Sequence, residues 1–179
     1  FMLRRPPTST LCPCTTLFRS VLHGICANGV YLACARCRAG DRTRGLEYLD
    51  RAFERHAAAV MQWTRFGTVT AAAYLAGGRV ADARRAVAGG TAASAARGAH
   101  GHSAALLRLE AEILLAEGDT ESARSRAEEA LAAALELGAP PEIGHCHRVL
   151  ARVTPSPEQA ASARRIFDRH GMVFWSAQT

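Results

Sequence analysis

The chain contains no lysine; all 22 of its basic residues are arginine. That absence excludes a phosphate-binding-loop lysine, a kinase-type lysine, a Schiff base and a Ser-Lys dyad. Aromatic residues are scarce, at 6% of 179 residues, while hydrophobic residues make up 49% and are mostly Ala, Leu and Val. A core of this composition has to form where small side chains let helices approach closely. No secretory signal is legible, because Arg4 and Arg5 run into Pro6-Pro7 and a polar stretch rather than an apolar segment. The longest early uncharged run, Ser20 to Ala35, includes His23 and Asn28 and falls short of a bilayer span. A cytoplasmic chain with no membrane partner is therefore expected, its six cysteines reduced rather than paired in a disulfide framework. The sequence also holds no HExxH, no glycine-rich dinucleotide fingerprint and no EF-hand loop.

The net charge is +6. An all-arginine basic set beside abundant Ala and Gly is what a GC-rich bacterial coding sequence yields. The excess of positive charge is therefore no argument by itself for a nucleic-acid partner, and the arginines interleave with acids, as in Arg124-Ser-Arg126-Ala-Glu128-Glu129, so an Arg-rich nucleic-acid-contact module stands only as the alternative reading.

The organising stretch runs from Leu107 to Pro141. An apolar helical segment reaches Leu115, Gly118-Asp119 makes a turn, and a second helical segment reaches Leu137. Gly40-Asp41 and Gly78-Arg79 punctuate the chain in the same way, 38 and 40 residues apart from Gly78 and Gly118 in turn. Seven residues before each turn glycine stand Ala33, Ala71 and Ala111; five after it, Gly45, Ala83 and Ala123; twelve after it, Ala52, Gly90 and Ala130. These columns predict an all-α chain of about four tandem helical hairpins, over approximately 21–56, 57–98, 100–138 and 140–171 within a repeat domain at 21–172. In the fourth unit His147, Leu150 and Ala151 continue the first-helix columns. Ala163, Ile166 and Phe167 continue the second, but arrive early, so about seven residues are missing near Val153 to Pro157. Thr154 is expected to cap the last helix with Pro155 in its first turn. The helix should end near His170-Gly171, with Arg164, Arg165, Asp168 and Arg169 facing outward as a terminal cap requires. Residues 173–179 read as a C-terminal tail.

The small-residue columns, with Leu32 in a leucine column and Tyr74 in an aromatic column, are similar to the tetratricopeptide (TPR) repeat, an α-solenoid of helical hairpins. The tryptophan column of that repeat is not met: Gly29, Gly67 and Leu107 stand there. The closing Gly171-Met172-Val173-Phe174-Trp175, with Glu136-Leu137-Gly138 and His145-Cys146-His147, resembles the C-terminal repeat region of large bacterial signalling ATPases with cyclase-like or DNA-binding output domains. The resemblance implies a non-enzymatic module that binds a protein or peptide and needs no cofactor, with the ATPase and output domains of the same parent chain upstream. It also implies that the first helices line a concave groove, to which Arg65, Thr68, Arg108, Glu112, His145, Arg148 and Arg152 contribute. Such a groove is mostly basic and suits an acidic segment or a peptide carboxylate. Reversing Arg108 and Arg148 to Glu is then expected to abolish capture and leave helicity unchanged. Arginines that are merely solvated are the alternative.

Thr10 to Ser20, TLCPCTTLFRS, resembles TLFPYTTLFRS, the translation of a common sequencing-library adapter. Residues 1–20 are accordingly expected to be artefactual and without packed structure, or else a native disordered terminus. Cys12-Pro13-Cys14 is then no metal motif.

Three further clusters invite chemistry. Cys34-Ala-Arg-Cys37 could be redox-active or half a zinc site, but it lies in a helical stretch and has no second CxxC. His145 and His147 point about 200° apart on a helix and cannot chelate one ion. A thiol or metal site using Cys34, Cys37 and Cys146 is therefore the weaker alternative to packing roles, and no metal is expected. Gly101-His102-Ser103 lacks the strand-to-helix turn and closing glycine of a nucleophile elbow.

Overall fold

A computed structural model describes residues 28–60 and 64–179, with side chains at all of these positions except 53–66. The suspected adapter stretch lies outside the described residues. Among the described residues there are helices and turns and no strand. Helix α1 covers 28–38. It is followed by α2 (Arg42–Val60), α3 (Thr64–Gly77), α4 (Val80–Arg97), a 3-10 turn at His100–His102, α5 (Ser103–Glu117), α6 (Thr120–Glu136), α7 (Pro140–Val153), α8 (Pro157–Arg169) and a short α9 (Val173–Ser176). Consecutive helices pair as hairpins: α1 with α2, α3 with α4, α5 with α6, α7 with α8.

One turn chemistry stops most of these helices. After α5, Gly118 takes φ +88°, a left-handed conformation that costs any other residue a Cβ clash. The amide of Asp119 then reaches back to Leu114 O at 3.0 Å, satisfying a carbonyl the helix leaves free. The same bond, from the residue after the glycine to the one five back, closes α1, α3, α4, α6 and α8. Asp119 next serves as the cap of α6, its side chain accepting from the Ser122 amide at 3.1 Å.

The small-residue columns are the helix contacts. Ala33, Ala71, Ala111, Ala83, Ala123 and Ala130 are fully buried; Gly45 and Gly90 are buried and Ala52 half-buried. At Gly67 a Cβ would lie 2.9 Å from Gly90 Cα and 3.2 Å from Ala86 O, so α3 rests on the backbone of α4. At this position the approach leaves no room for the tryptophan of the repeat, since no ring fits between those backbones. The leucine column fails for another reason: Leu32 is 43% exposed among the described residues.

Successive hairpins stack by packing each second helix on the first helix of the next, α2 on α3, α4 on α5 and α6 on α7, with further contact between the first helices themselves. Helix α3 packs on α5 and α5 on α7, whereas α4, α6 and α8 do not touch one another among the described residues. The apolar clusters overlap accordingly: one joins Val30 and Leu49 to Leu109 and Ile113, and two others join Ala111 to Val149 and Ala104 to Cys146. Helix α5 belongs to all three. Ion pairs tie hairpin to hairpin at the surface, with Arg79 holding Asp50 at 2.8 Å, Arg84 meeting Glu117, and Arg126 within a hairpin reaching Glu110 at 3.3 Å.

Two boundaries differ from the sequence reading. Helix α2 continues to Val60, past the expected break at residue 56. Helix α8 is capped by Ser156, which accepts from the Gln159 amide, with Pro157 in the first turn. Thr154 instead ends α7 in an extended conformation, as a residue before proline prefers. The chain carries Thr-Pro and Ser-Pro in tandem, and the second pair leaves room for the turn. The end of α8 is as expected, with Gly171 left-handed and Arg164, Arg165, Asp168 and Arg169 exposed.

Among the described residues no helix is long and apolar enough to cross a membrane.

Candidate binding groove

The first helices converge on a cavity of about 690 Å³. Tyr31, Cys34 and Arg38 come to it from α1, Thr68 and Val69 from α3, Ala105 and Arg108 from α5, Glu142 and His145 from α7, and Phe174 and Trp175 from the C-terminal turn. A smaller cavity of about 230 Å³ adjoins it, lined in part by Glu112, Arg148 and Arg152. Arg38 and Trp175 line both. Thr68, Arg108, Glu112, His145, Arg148 and Arg152 are thus brought together along one run of first helices. Arg65 lies in α3, and its side chain is outside the described residues.

The groove's charges are mostly spent on one another. Arg108, 8% exposed, donates to Glu142 through Nε and to Glu112 Oε1 at 2.6 Å through Nη1. Arg148 Nη2 donates to the same Glu112 oxygen at 3.1 Å. Burial alone would raise the Glu112 pKa; the two guanidiniums overcome it and hold the carboxyl below its ordinary range. Arg108 is pulled the other way from its own desolvation by Glu142 and Glu112, and stays charged. Arg148 is lowered by burial. The expectation of a freely basic groove therefore needs revision at Arg108 and Arg148. So does the control attached to it. A glutamate at position 108 would stand beside Glu112 and Glu142 in a dry site, and like charges there destabilise the fold itself. Among the described groove residues, Arg152, which is exposed, and Arg38 belong to none of the ion pairs.

The residues that the sequence reading missed are Trp175, Arg38 and Glu142. The sequence pattern leaves Trp175 in a C-terminal tail. Its indole instead lies under the Arg38 guanidinium at 4.2 Å and the Arg148 guanidinium at 4.8 Å. His145 meets it edge-on at 4.6 Å and meets Phe167 at 5.0 Å. His147 points elsewhere, toward Gln159 Oε1, as the helical spacing requires.

Burial, aided by Arg108, Arg148 and Arg38, pushes the pKa of His145 down to about 2. An unfolded histidine takes its proton near pH 6.5, so between these values the unfolded chain holds a proton that the native chain refuses. The contribution is complete above the unfolded pKa and is lost as pH falls below it. Stability should drop by up to about 1.4 kcal/mol per pH unit below about pH 6.5 from this group. Urea unfolding from pH 7 downward should show that decline in the intact chain and a flatter one in His145→Leu. Equal slopes would remove His145 as the cause.

The cysteines are separated rather than clustered. Cys34 lines the cavity. Cys37 is buried beside Gly45, and Cys146 is fully buried with Ala104, Ala130 and Ala134. Among the described residues no three His, Cys, Asp or Glu side chains gather as a metal ion would need. Burial pushes the Cys146 thiol up to about 12. Native alkylation at about pH 8 should label Cys34 and spare Cys146, read by peptide mass spectrometry. Cys146 labelling at the rate seen in urea would contradict its burial.

Comparison of the chain with protein-family models, with curated proteins and with solved structures gives no match.

Proposed function

We propose that this chain is a non-catalytic TPR-like repeat module that binds a protein or peptide segment in the groove along its first helices, as the C-terminal part of a larger bacterial signalling or transcriptional regulator. One observation carries the reading. Residues from four first helices and from the C-terminal turn converge on one open cavity, and they include Thr68, Arg108 and His145, the inward positions that the repeat resemblance implies. A groove assembled from successive hairpins presents an extended concave surface, which is how stacked-hairpin proteins hold extended partners. The pairing of Arg79, Arg84, Arg108, Arg126 and Arg148 with carboxylates weighs against an arginine surface reserved for nucleic acid.

Selection from a displayed random-peptide library tests the reading. Selected peptides should lose binding to Ala105→Trp, which fills the cavity, and weaken by about tenfold on Arg38→Glu with Arg152→Glu, in proportion to their acidic content. Peptides that bind these variants as well as the parent, with helicity unchanged, would place recognition elsewhere.

A further inference from the structure

We infer that the slot between Arg38 and Arg148, at the edge of the groove's open cavity, is held by the chain's own C-terminal segment, and that the partner is a segment joining an aromatic anchor to a carboxylate, which takes the place of Trp175. This rests on the peptide-groove reading above and adds the partner's chemistry and the competition it faces.

The slot that holds Trp175 is unlike an apolar core. Two guanidiniums, from α1 and α7, flank the ring, and an imidazole closes the edge. Arg148 Nε and His145 Nδ1 are both shielded from solvent and have no hydrogen-bond partner. An indole cannot satisfy them fully, because it carries one N–H and no acceptor. The Arg148 N–H needs an acceptor, and the neutral imidazole needs a donor for Nδ1 if its proton sits on Nε2. A peptide supplies both: a carboxylate oxygen for the guanidinium and a backbone N–H for the imidazole. Arg38, outside every ion pair among the described residues, gives the same carboxylate a second cation. The aromatic preference is equally local. Besides Trp175, the larger cavity has Tyr31 and Phe174 on its rim, 41% and 46% exposed.

The resident segment is held lightly enough to be displaced. Helix α9 has four residues and packs on α8. Val173 is 76% exposed. The segment's polar anchor is the Ser176 hydroxyl, which donates to Asp168. A segment in equilibrium between a seated and a lifted state lowers the apparent affinity of any competitor by the fraction of chains that are open.

The experiment uses the full-length chain. A fluorescein-labelled octapeptide with the sequence of Met172 to Thr179, and a second in which its serine and glutamine are aspartates, are titrated into the parent, Trp175→Ala and Ser176→Ala proteins. The acidic peptide should bind Trp175→Ala about tenfold more tightly than the parent, with Ser176→Ala between them. The unmodified peptide should bind Trp175→Ala more weakly than the acidic one. Equal affinity for parent and both variants overturns self-occupancy. Equal affinity of the two peptides overturns the carboxylate requirement. If neither peptide binds Trp175→Ala while library-selected peptides still compete with each other in the groove, this inference fails and the groove reading survives. If nothing binds any variant, both fail.

Discussion

Replacing Arg108 with methionine should lower the unfolding free energy by about 3–5 kcal/mol, the cost of removing one partner from a buried ion pair. Arg108 is 8% exposed and stands between Glu112 on its own helix and Glu142 on the next hairpin. Without it Glu142 loses its guanidinium, and Glu112 keeps only Arg148. The deficit should shrink as pH falls through the carboxylate range, because a protonated Glu112 no longer needs a counter-charge. It should also shrink when the acids are removed with the base. Arg108→Met combined with Glu112→Gln and Glu142→Gln replaces charges by neutral groups of similar shape, and such exchanges are near neutral far more often than single deletions. Urea unfolding of the two proteins at two pH values reads all of this. A single mutant within about 1 kcal/mol of the parent would mean that the three charges are not coupled.

Phe167→Ala should be comparably severe, at about 3–5 kcal/mol. Phe167 is the largest fully buried side chain among the described residues, and it fills the space against α7 that Gly144 leaves open. A Cβ at Gly144 would come within 2.7 Å of the Phe167 ring. The contact is therefore closed from both sides, and an alanine at 167 leaves a cavity that the backbone cannot collapse to fill. A second effect separates this residue from an ordinary core position. The Phe167 ring is one wall around His145, so the alanine variant should admit water to the imidazole and flatten the acid-side decline in stability. Phe167→Leu, which conserves more volume, should lose less and retain the slope.

The hairpins were legible because they depend on local and periodic chemistry. A glycine is needed where the backbone turns left-handed, and small residues are needed where helices touch; both recur at nearly constant spacing. Gly40, Gly78 and Gly118, and the columns built on them, therefore locate most of the helices from the sequence alone. The groove was legible only in position. Thr68, Arg108 and His145 border the larger cavity and Glu112, Arg148 and Arg152 the smaller one beside it, but the pairing of their charges is not marked in the sequence. The partner of Arg108 on α7, Glu142, is a neighbour only once hairpins stack, and no period marks it. Trp175 was illegible for a related reason. A four-residue helix has no measurable period, and its cation partner Arg38 comes from the opposite end of the chain. Leu32 misled in the reverse sense, since a column match says nothing about which neighbour covers the side chain.

The central claim is spatial: the C-terminal turn lies in the groove, against the first hairpin. Nuclear Overhauser spectroscopy on the full-length chain, with Trp175 assigned through Trp175→Phe, tests it directly. With the Arg38 guanidinium 4.2 Å and the His145 ring 4.6 Å from the indole, cross-peaks should connect the Trp175 ring protons to the Arg38 methylenes and to the His145 ring. Cross-peaks confined to α8 and the residues around Trp175 itself would contradict the occupied groove.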